Sequence, residues 1–267
     1  MLANLTRRFR KERAAAPAPA IPDGKRVYAV GDIHGRLDLL DALLDAIATD
    51  DAARGEADTH IVLLGDLVDR GPDSRGVVER ARQLATQPRV TVLGGNHEDM
   101  FLLAFRKPTA LRSFLRYGGR ETLESYGITA AELNVRNVEQ LQGLLAERVP
   151  REHRDFIDGL PHQLRIGDYL FVHAGIDPER PLDDQRPQDM RWIREPFLSH
   201  AAGHGAIVVH GHTIVDEAEM LPNRIALDTG AFESGRLTAL MLEGTARTII
   251  ATRQDADGTI HIETREV

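Results

Sequence analysis

Asp32 and His34 stand one residue apart in the run Gly31-Asp32-Ile33-His34-Gly35, directly after the apolar run Val27–Val30. A carboxylate and an imidazole so placed can hold one cation from the end of a strand. Alone, such a triplet is weak. Here it is followed in order by Gly65-Asp66-Leu67-Val68-Asp69-Arg70-Gly71, Gly95-Asn96-His97-Glu98, His173-Ala174-Gly175 and Gly211-His212-Thr213. Together they offer the donors Asp32, His34, Asp66, Asn96, His173 and His212. All are oxygen or imidazole nitrogen, which suits manganese, iron or zinc better than copper(I) or an iron–sulfur centre. A carboxylate can bridge two cations, and Asp66 lies between the two donor groups in sequence. Asp32 and His34 would complete a first site; Asn96, His173 and His212 would complete a second. Two divalent cations about 3.5–4 Å apart attract a phosphate ester, stabilise its transition state and lower the pKa of a shared water.

The elements that must bring these residues together are short apolar runs. Val27–Val30, Ile61–Leu64, Val90–Leu93, Tyr169–Val172, Ala206–Val209 and Ile225–Leu227 read as buried strands, with Leu237–Leu242 and Thr248–Thr252 as later ones. Leu37, Leu40, Leu44 and Ile47 recur at helical spacing, as do Val77, Val78, Ala81 and Leu84. This alternation predicts an α/β fold with a largely parallel sheet. Residues 100–160 read as a helical insertion capping the site, broken at Gly118-Gly119. The motifs begin where apolar runs stop, and ligands bind outside the carboxyl ends of such strands.

Composition limits the partners. The 267 residues carry a formal charge of −8 and no cysteine. An acidic chain is a poor match to a polyphosphate backbone, so nucleic acid is not an expected partner; thiolate-held zinc and disulfides are excluded. No apolar run approaches the roughly 18 residues of a membrane span. Thr6-Arg7-Arg8-Phe9 resembles a twin-arginine signal, but Ala14–Pro22 has no long apolar core, so a cytoplasmic location is expected. Leu2, Leu5 and Phe9 could line a basic helix touching anionic lipid. The simpler reading is a solvated, disordered tail and Pro/Ala linker over 1–22, followed by one domain over 23–267.

At these motifs the chain resembles the calcineurin-like metallophosphoesterases, and within them the bacterial and phage branch of serine/threonine protein phosphatases (the PPP family). Asp189-Met190-Arg191-Trp192-Ile193-Arg194 and Leu227-Asp228-Thr229-Gly230-Ala231 also resemble segments of that branch. The resemblance implies a metallophosphoesterase-type double β-sheet sandwich flanked by helices, in four layers α/β/β/α, with a two-metal centre at one sheet edge. It implies Asp32, His34, Asp66, Asn96, His173 and His212 as metal ligands, with His212 preferred to His210. His97 matches the catalytic histidine, Asp69 its carboxylate partner, and Arg70 and Arg194 the phosphate-binding arginines. Gly94 departs from the family, which commonly places arginine before the Gly-Asn-His-Glu motif.

The expected activity is hydrolysis of phosphoserine and phosphothreonine monoesters in phosphoproteins or phosphopeptides, by direct attack of a hydroxide bridging two divalent ions, with manganese the expected metal. The alternatives are a symmetrical dinucleoside tetraphosphate hydrolase and a non-catalytic metal-binding scaffold. In the tetraphosphate branch alanine usually stands at the position of Asp69 and aspartate follows the Asn-His pair, so Asp69 and Glu98 favour the phosphatase. Trp192 reads as a packed core residue, Gly118-Gly119 as a plain helix break, and Asp228 as part of a structural turn near the metal centre. Sequence leaves the oligomeric state open.

Overall fold

Apolar side chains at consecutive positions of a strand need cover on both faces, and the fold supplies it. The computed structural model describes residues 18–267. In chain order the strands are β1 (Lys25–Val30), β2 (Asp58–Leu63), β3 (Val90–Val92), β4 (Gln163–Ile166), β5 (Tyr169–Val172), β6 (Ile207–His210), β7 (Glu219–Met220), β8 (Arg224–Ala226), β9 (Thr238–Glu243), β10 (Ala246–Gln254) and β11 (Ile260–Glu266). They form two sheets, ordered β11-β10-β9-β1-β2-β3 and β4-β5-β6-β8-β7. Tyr28 and Val30 of β1 face the helices, whereas Val27 and Ala29 face the second sheet. Tyr169 and Phe171 of β5 answer them across the sandwich, and Leu170 and Val172 pack outward on Met190 and Phe197. The two-residue period of a strand thus accounts for three apolar layers.

The helices are α1 (Leu37–Arg54), α2 (Ser74–Leu84), α3 (Asn96–Arg106), α4 (Pro108–Phe114), α5 (Arg120–Ser125), α6 (Ala130–Val135), α7 (Val138–Arg148), α8 (Arg151–Asp158), α9 (Pro187–Trp192) and α10 (Ala231–Ser234). Phe101, Phe114, Leu123 and Tyr126 from the 100–160 segment share one core with Tyr28 and Val30. That segment is therefore continuous with the outer helical layer, while Met100, Leu103 and Tyr117 also wall the cleft described below.

The sheets are mixed rather than largely parallel. Pairing is parallel along β1-β2-β3 and β5-β6-β8, where intervening chain crosses over. It is antiparallel where tight turns at Gly244 (φ 54°) and Gly258 (φ 88°) join β9, β10 and β11, because a short turn can only reverse the chain. The packed chain also extends ahead of Asp23: Ile21 is buried between the sheets, and its N–H donates to Gly244 O at 2.8 Å. The readings made for Met1–Pro17 lie outside the described residues. Among the described residues no helix is long and apolar enough to cross a membrane.

The loops after β2 and β3 meet at one carboxylate. Glu98, buried on the first turn of α3, accepts from the N–H groups of Asp66 (2.9 Å) and Gly95 (2.8 Å) through Oε2, and of Leu67 (2.8 Å) and Val68 (3.3 Å) through Oε1. Burial and the Asp66 charge push its pKa up to about 7, and the N–H donors pull the other way. Gly95 is needed at this junction, since a Cβ there would lie 2.2 Å from Asp66 Oδ1. Glu98→Gln would turn an amide N–H₂ onto two of the four N–H donors. At about 1–3 kcal/mol per unsatisfied buried donor, the melting temperature should fall on the order of 5–15 °C. An unchanged melting curve would show that the carboxylate does not hold the two loops.

Candidate metal centre

Each donor sits where an element meets the same edge of the sandwich. Asp32 and His34 follow β1, Asp66 follows β2, Asn96 opens α3 behind β3, His173 follows β5 and His212 follows β6. The structure brings them together. Ligand-type atoms of His34, Asp66 and His97 converge in one group, and those of Asp66, His173 and His212 in another, within 4.8 Å of one another in each case. Asp66 belongs to both: Oδ2 lies 3.6 Å from His34 Nε2, and Oδ1 lies 3.4 Å from His173 Nε2.

The hydrogen bonds around this cluster leave lone pairs aimed inward. His34 Nδ1 donates to Val68 O (2.7 Å) and His173 Nδ1 donates to Leu64 O (3.0 Å). A carbonyl only accepts, so each neutral ring turns its Nε2 lone pair toward the centre. Burial keeps both neutral, pushing His34 down to about 3 and His173 below its ordinary value. His173 Nε2 then faces Asn96 Oδ1 at 2.9 Å, acceptor against acceptor, with His212 Nδ1 2.8 Å from the same oxygen. Asp32 accepts from the His212 N–H through Oδ2 (2.9 Å), while its buried Oδ1 has no hydrogen-bond partner. Burial, followed by the neighbouring charges of Asp228 and Asp66, raises the Asp32 pKa well above the usual carboxylate range, and burial pushes Asp228 up to about 6. Converging lone pairs, an orphaned carboxylate oxygen and adjacent buried acids fit divalent cations.

The backbone here is strained. Among the described residues, the non-glycine residues with left-handed φ are His34 (46°), Asp66 (48°), Asp69 (76°), Arg70 (70°) and His212 (63°), and all five are sequence-selected site residues. Such conformations cost about 1–3 kcal/mol each and concentrate at functional sites. Close contacts at neighbouring glycines surround them. A Cβ at Gly71 would meet His34 O at 2.0 Å, and one at Gly211 would meet Asp32 Oδ1 at 1.9 Å.

Beside the donor cluster, His97 Nδ1 bonds Asp69 Oδ2 at 2.6 Å. Burial opposes a charge on His97, but Asp66 and the Asp69 hydrogen bond outweigh it and raise its pKa. Arg70 donates to His34 Nε2 (3.0 Å) and His97 Nε2 (3.1 Å), and its guanidinium lies 4.8 Å from the Phe232 ring centroid. Arg194 donates to Thr213 Oγ1 (3.0 Å) and His212 O (3.2 Å). Arg70, His97, Arg194 and His212 border one open cleft of about 590 Å³.

Two sequence readings need correction. Trp192 lines this cleft rather than the core, with its indole N–H on Asp99 Oδ2 at 3.2 Å. Gly118 is more than a helix break: its carbonyl accepts the Arg70 N–H at 2.9 Å, and a Cβ there would strike Arg70 Cγ at 2.6 Å. Gly94, where the related family commonly has arginine, faces the Arg191 guanidinium, which pairs with Asp99. His210 points elsewhere, toward Phe197 and Arg224. Sequence reasoning missed the tie made by Glu98, although a glutamate three residues after the residue that caps a helix can reach back to that residue's N–H, as Glu98 does to Gly95. It also missed Ser74 and Thr122, which surround Asp69 and carry no local signal.

Comparison with known proteins agrees with this geometry. Residues 25–236 match the family of calcineurin-like phosphoesterases. The chain is 27% identical over 231 residues to the asymmetrical bis(5'-nucleosyl)-tetraphosphatase PrpE of Anoxybacillus flavithermus, covering 79% of this chain and 88% of that protein. It is 27% identical over 226 residues to serine/threonine-protein phosphatase 2 of Escherichia coli, covering 80% and 91%. The fold resembles that of the cold-active protein-tyrosine phosphatase of a Shewanella species, with a TM-score of 0.57 and 22% identity over 91% of this chain and 83% of that one. Given a match over most of its length, a double-sheet fold and a cluster of His and Asp donors able to hold metal, the chain belongs to the calcineurin-like phosphoesterase family, metal-dependent hydrolases of phosphate esters.

Proposed function

We propose that the protein is a phosphomonoesterase acting on phosphoserine and phosphothreonine in peptides or proteins. The observation that carries the reading is the His97–Asp69 pair, in which His97 lines the cleft beside the converging donors and Asp69 is buried behind it. Asp32, His34 and Asp66 would hold one divalent cation, and Asp66, Asn96, His173 and His212 a second, with manganese the expected metal. Such a pair supplies charge for the phosphate and a lowered pKa for the attacking water.

The side chains do the rest. Arg70 and Arg194 border the cleft with donors only, and a guanidinium matches two phosphate oxygens at once. When Arg70 turns to a phosphate it releases the Nε2 lone pairs of His34 and His97. The first becomes available to a cation and the second to a proton. Asp69 accepts the Nδ1–H of His97 and favours the imidazolium. Nε2–H then points into the cleft and protonates the departing serine or threonine oxygen, which would otherwise leave as a strongly basic alkoxide.

A second reading keeps the site and changes the substrate. Relatives named tetraphosphatases and relatives named protein phosphatases match at similar identity. Tyr117, 56% exposed, and Trp192 wall the cleft with flat rings suited to a nucleobase. Asp69, usually alanine in the symmetrical branch, speaks against that branch alone.

The discriminating assay compares a phosphoserine peptide with diadenosine tetraphosphate, in added manganese and again after chelation. Faster turnover of the peptide, abolished by chelator, is expected. Preference for the dinucleotide would transfer the assignment to the second reading, and absence of metal-dependent turnover on either would favour a non-catalytic metal-binding protein. His97→Ala should slow phosphoserine hydrolysis about 10²–10⁴-fold. It should slow p-nitrophenyl phosphate much less, because nitrophenolate departs without a proton; equal losses on both substrates would remove His97 from the acid role. The general acid must be protonated, so activity is lost as pH rises through the raised His97 pKa. Asp69→Asn removes one cause of the raising and should shift the basic limb of the kcat/KM profile to lower pH. A limb that stays in place would show that Asp69 does not tune His97.

A further inference from the structure

Asp69 is buried; the oxygen of its carboxylate away from His97 meets one hydroxyl and its backbone N–H meets that hydroxyl and a second, and neither hydroxyl lies in any of the site motifs. Thr122, on α5, donates its hydroxyl to Asp69 Oδ1 at 2.6 Å. Ser74, the first residue of α2, places Oγ 2.9 Å from Thr122 Oγ1. The Asp69 N–H is shared between the two hydroxyl oxygens, at 2.9 Å from each. All three residues are shielded from water.

The proton directions follow from counting. A hydroxyl carries one proton. Thr122 gives its proton to a carboxylate oxygen that can only accept. Ser74 therefore donates to Thr122, and both oxygens receive the Asp69 N–H. This closed ring of bonds joins two helices to one loop residue. The next residue, Arg70, is held by the Gly118 carbonyl just ahead of the same helix α5. Asp69 and Arg70 are the two consecutive left-handed residues of the site, and the helical segment over residues 118–122 grips both.

A carboxylate rotates over a broad two-fold torsion. A bond from His97 to Oδ2 alone does not set its plane; a second bond to Oδ1 from the opposite side does. We propose that Thr122, backed by Ser74, is a positioning residue for the leaving-group proton, fixing Asp69 so that Oδ2 stays on His97 Nδ1. This rests on the reading of His97 as general acid. Thr122 touches neither substrate nor metal donors and acts only through Asp69.

The test uses the full chain with Thr122→Val, close in shape but without the hydroxyl, and Thr122→Ser, which keeps it. The kcat and KM for a phosphoserine peptide and for p-nitrophenyl phosphate are measured at one manganese concentration, with thermal melts as a check on folding. Thr122→Val should lower kcat on the peptide about 10-fold or more with KM little changed, since small misplacements of an acid cost that much. The loss on p-nitrophenyl phosphate should be clearly smaller, and Thr122→Ser should recover most of the peptide rate. Equal losses on both substrates, or no recovery with serine, would overturn the proposal. His97→Ala separates the levels. If it lacks the leaving-group contrast, the general-acid reading fails; if it shows the contrast and Thr122→Val does not, only the positioning role fails. Should Thr122→Val not fold, Ser74→Ala must shift the substrate ratio in the same direction by a smaller factor, and an unchanged ratio overturns the proposal.

Discussion

One buried carboxylate, Glu98, accepts four backbone N–H groups and joins the loop after β2 to the start of α3. Those two segments carry Asp66, Asp69, Arg70, Asn96 and His97. The left-handed conformations at Asp66, Asp69 and Arg70 would relax if the loop were free, because each costs about 1–3 kcal/mol. Glu98 takes the N–H groups of residues 66–68, and the Ser74, Thr122 and Gly118 oxygens take those of residues 69 and 70. A run of five amides that no strand or helix satisfies is thus satisfied by neighbouring groups, as buried backbone must be. The strain at the site is a consequence of that arrangement, and the arrangement depends on side chains and one backbone carbonyl supplied from the helical layer.

The donor set was legible because it lies in short motifs at strand ends, and strands covered on both faces announce themselves as unbroken apolar runs. Val27–Val30 lies within β1, and Tyr169–Val172 coincides with β5. β4, β7 and β11 were not legible for the opposite reason. They are sheet edges or their neighbours, partly exposed, and a strand such as Ile260–Glu266 alternates apolar and charged residues too weakly to stand out. The mixed pairing was missed because alternation of strands and helices early in the chain says nothing about the hairpins that end it.

The residues around the donors were harder. Thr122 is 53 positions from Asp69 in sequence, and nothing local in Arg-Glu-Thr-Leu marks a threonine for that contact. Trp192 looked like core because tryptophan usually packs; it is on the cleft because Asp99 holds its indole N–H and Arg191 turns the short helix α9 toward Gly94. Asp228 was placed near the metal centre by motif alone. Its closeness to Asp32, which raises the Asp32 pKa, needed the return of β8 beside β6. Motifs reveal which residues share a strand end, whereas the contacts between those ends depend on topology.

The division of labour between layers bears on the substrate. The donors arise from strand ends and the helix start behind β3, and a centre of that kind suits phosphate esters as a class. The far walls of the cleft arise elsewhere. Met100 and Leu103 come from α3, Tyr117 from the turn after α4, and Trp192 from the end of α9. On the proposed reading those walls would meet the group attached to phosphorus rather than the phosphate itself. A change of substrate within one family therefore requires no change in Asp66 or Asn96, only in the helical segment and α9. This fits a chain similar at equal identity to proteins named phosphatases and tetraphosphatases. It also explains why the His97–Asp69 pair is the informative feature of the centre. On the proposed reading His97 is a proton donor on the leaving-group side, which matters most when an alkoxide departs and least when a phosphate does, and the bonds that fix Asp69 would serve an alcohol leaving group.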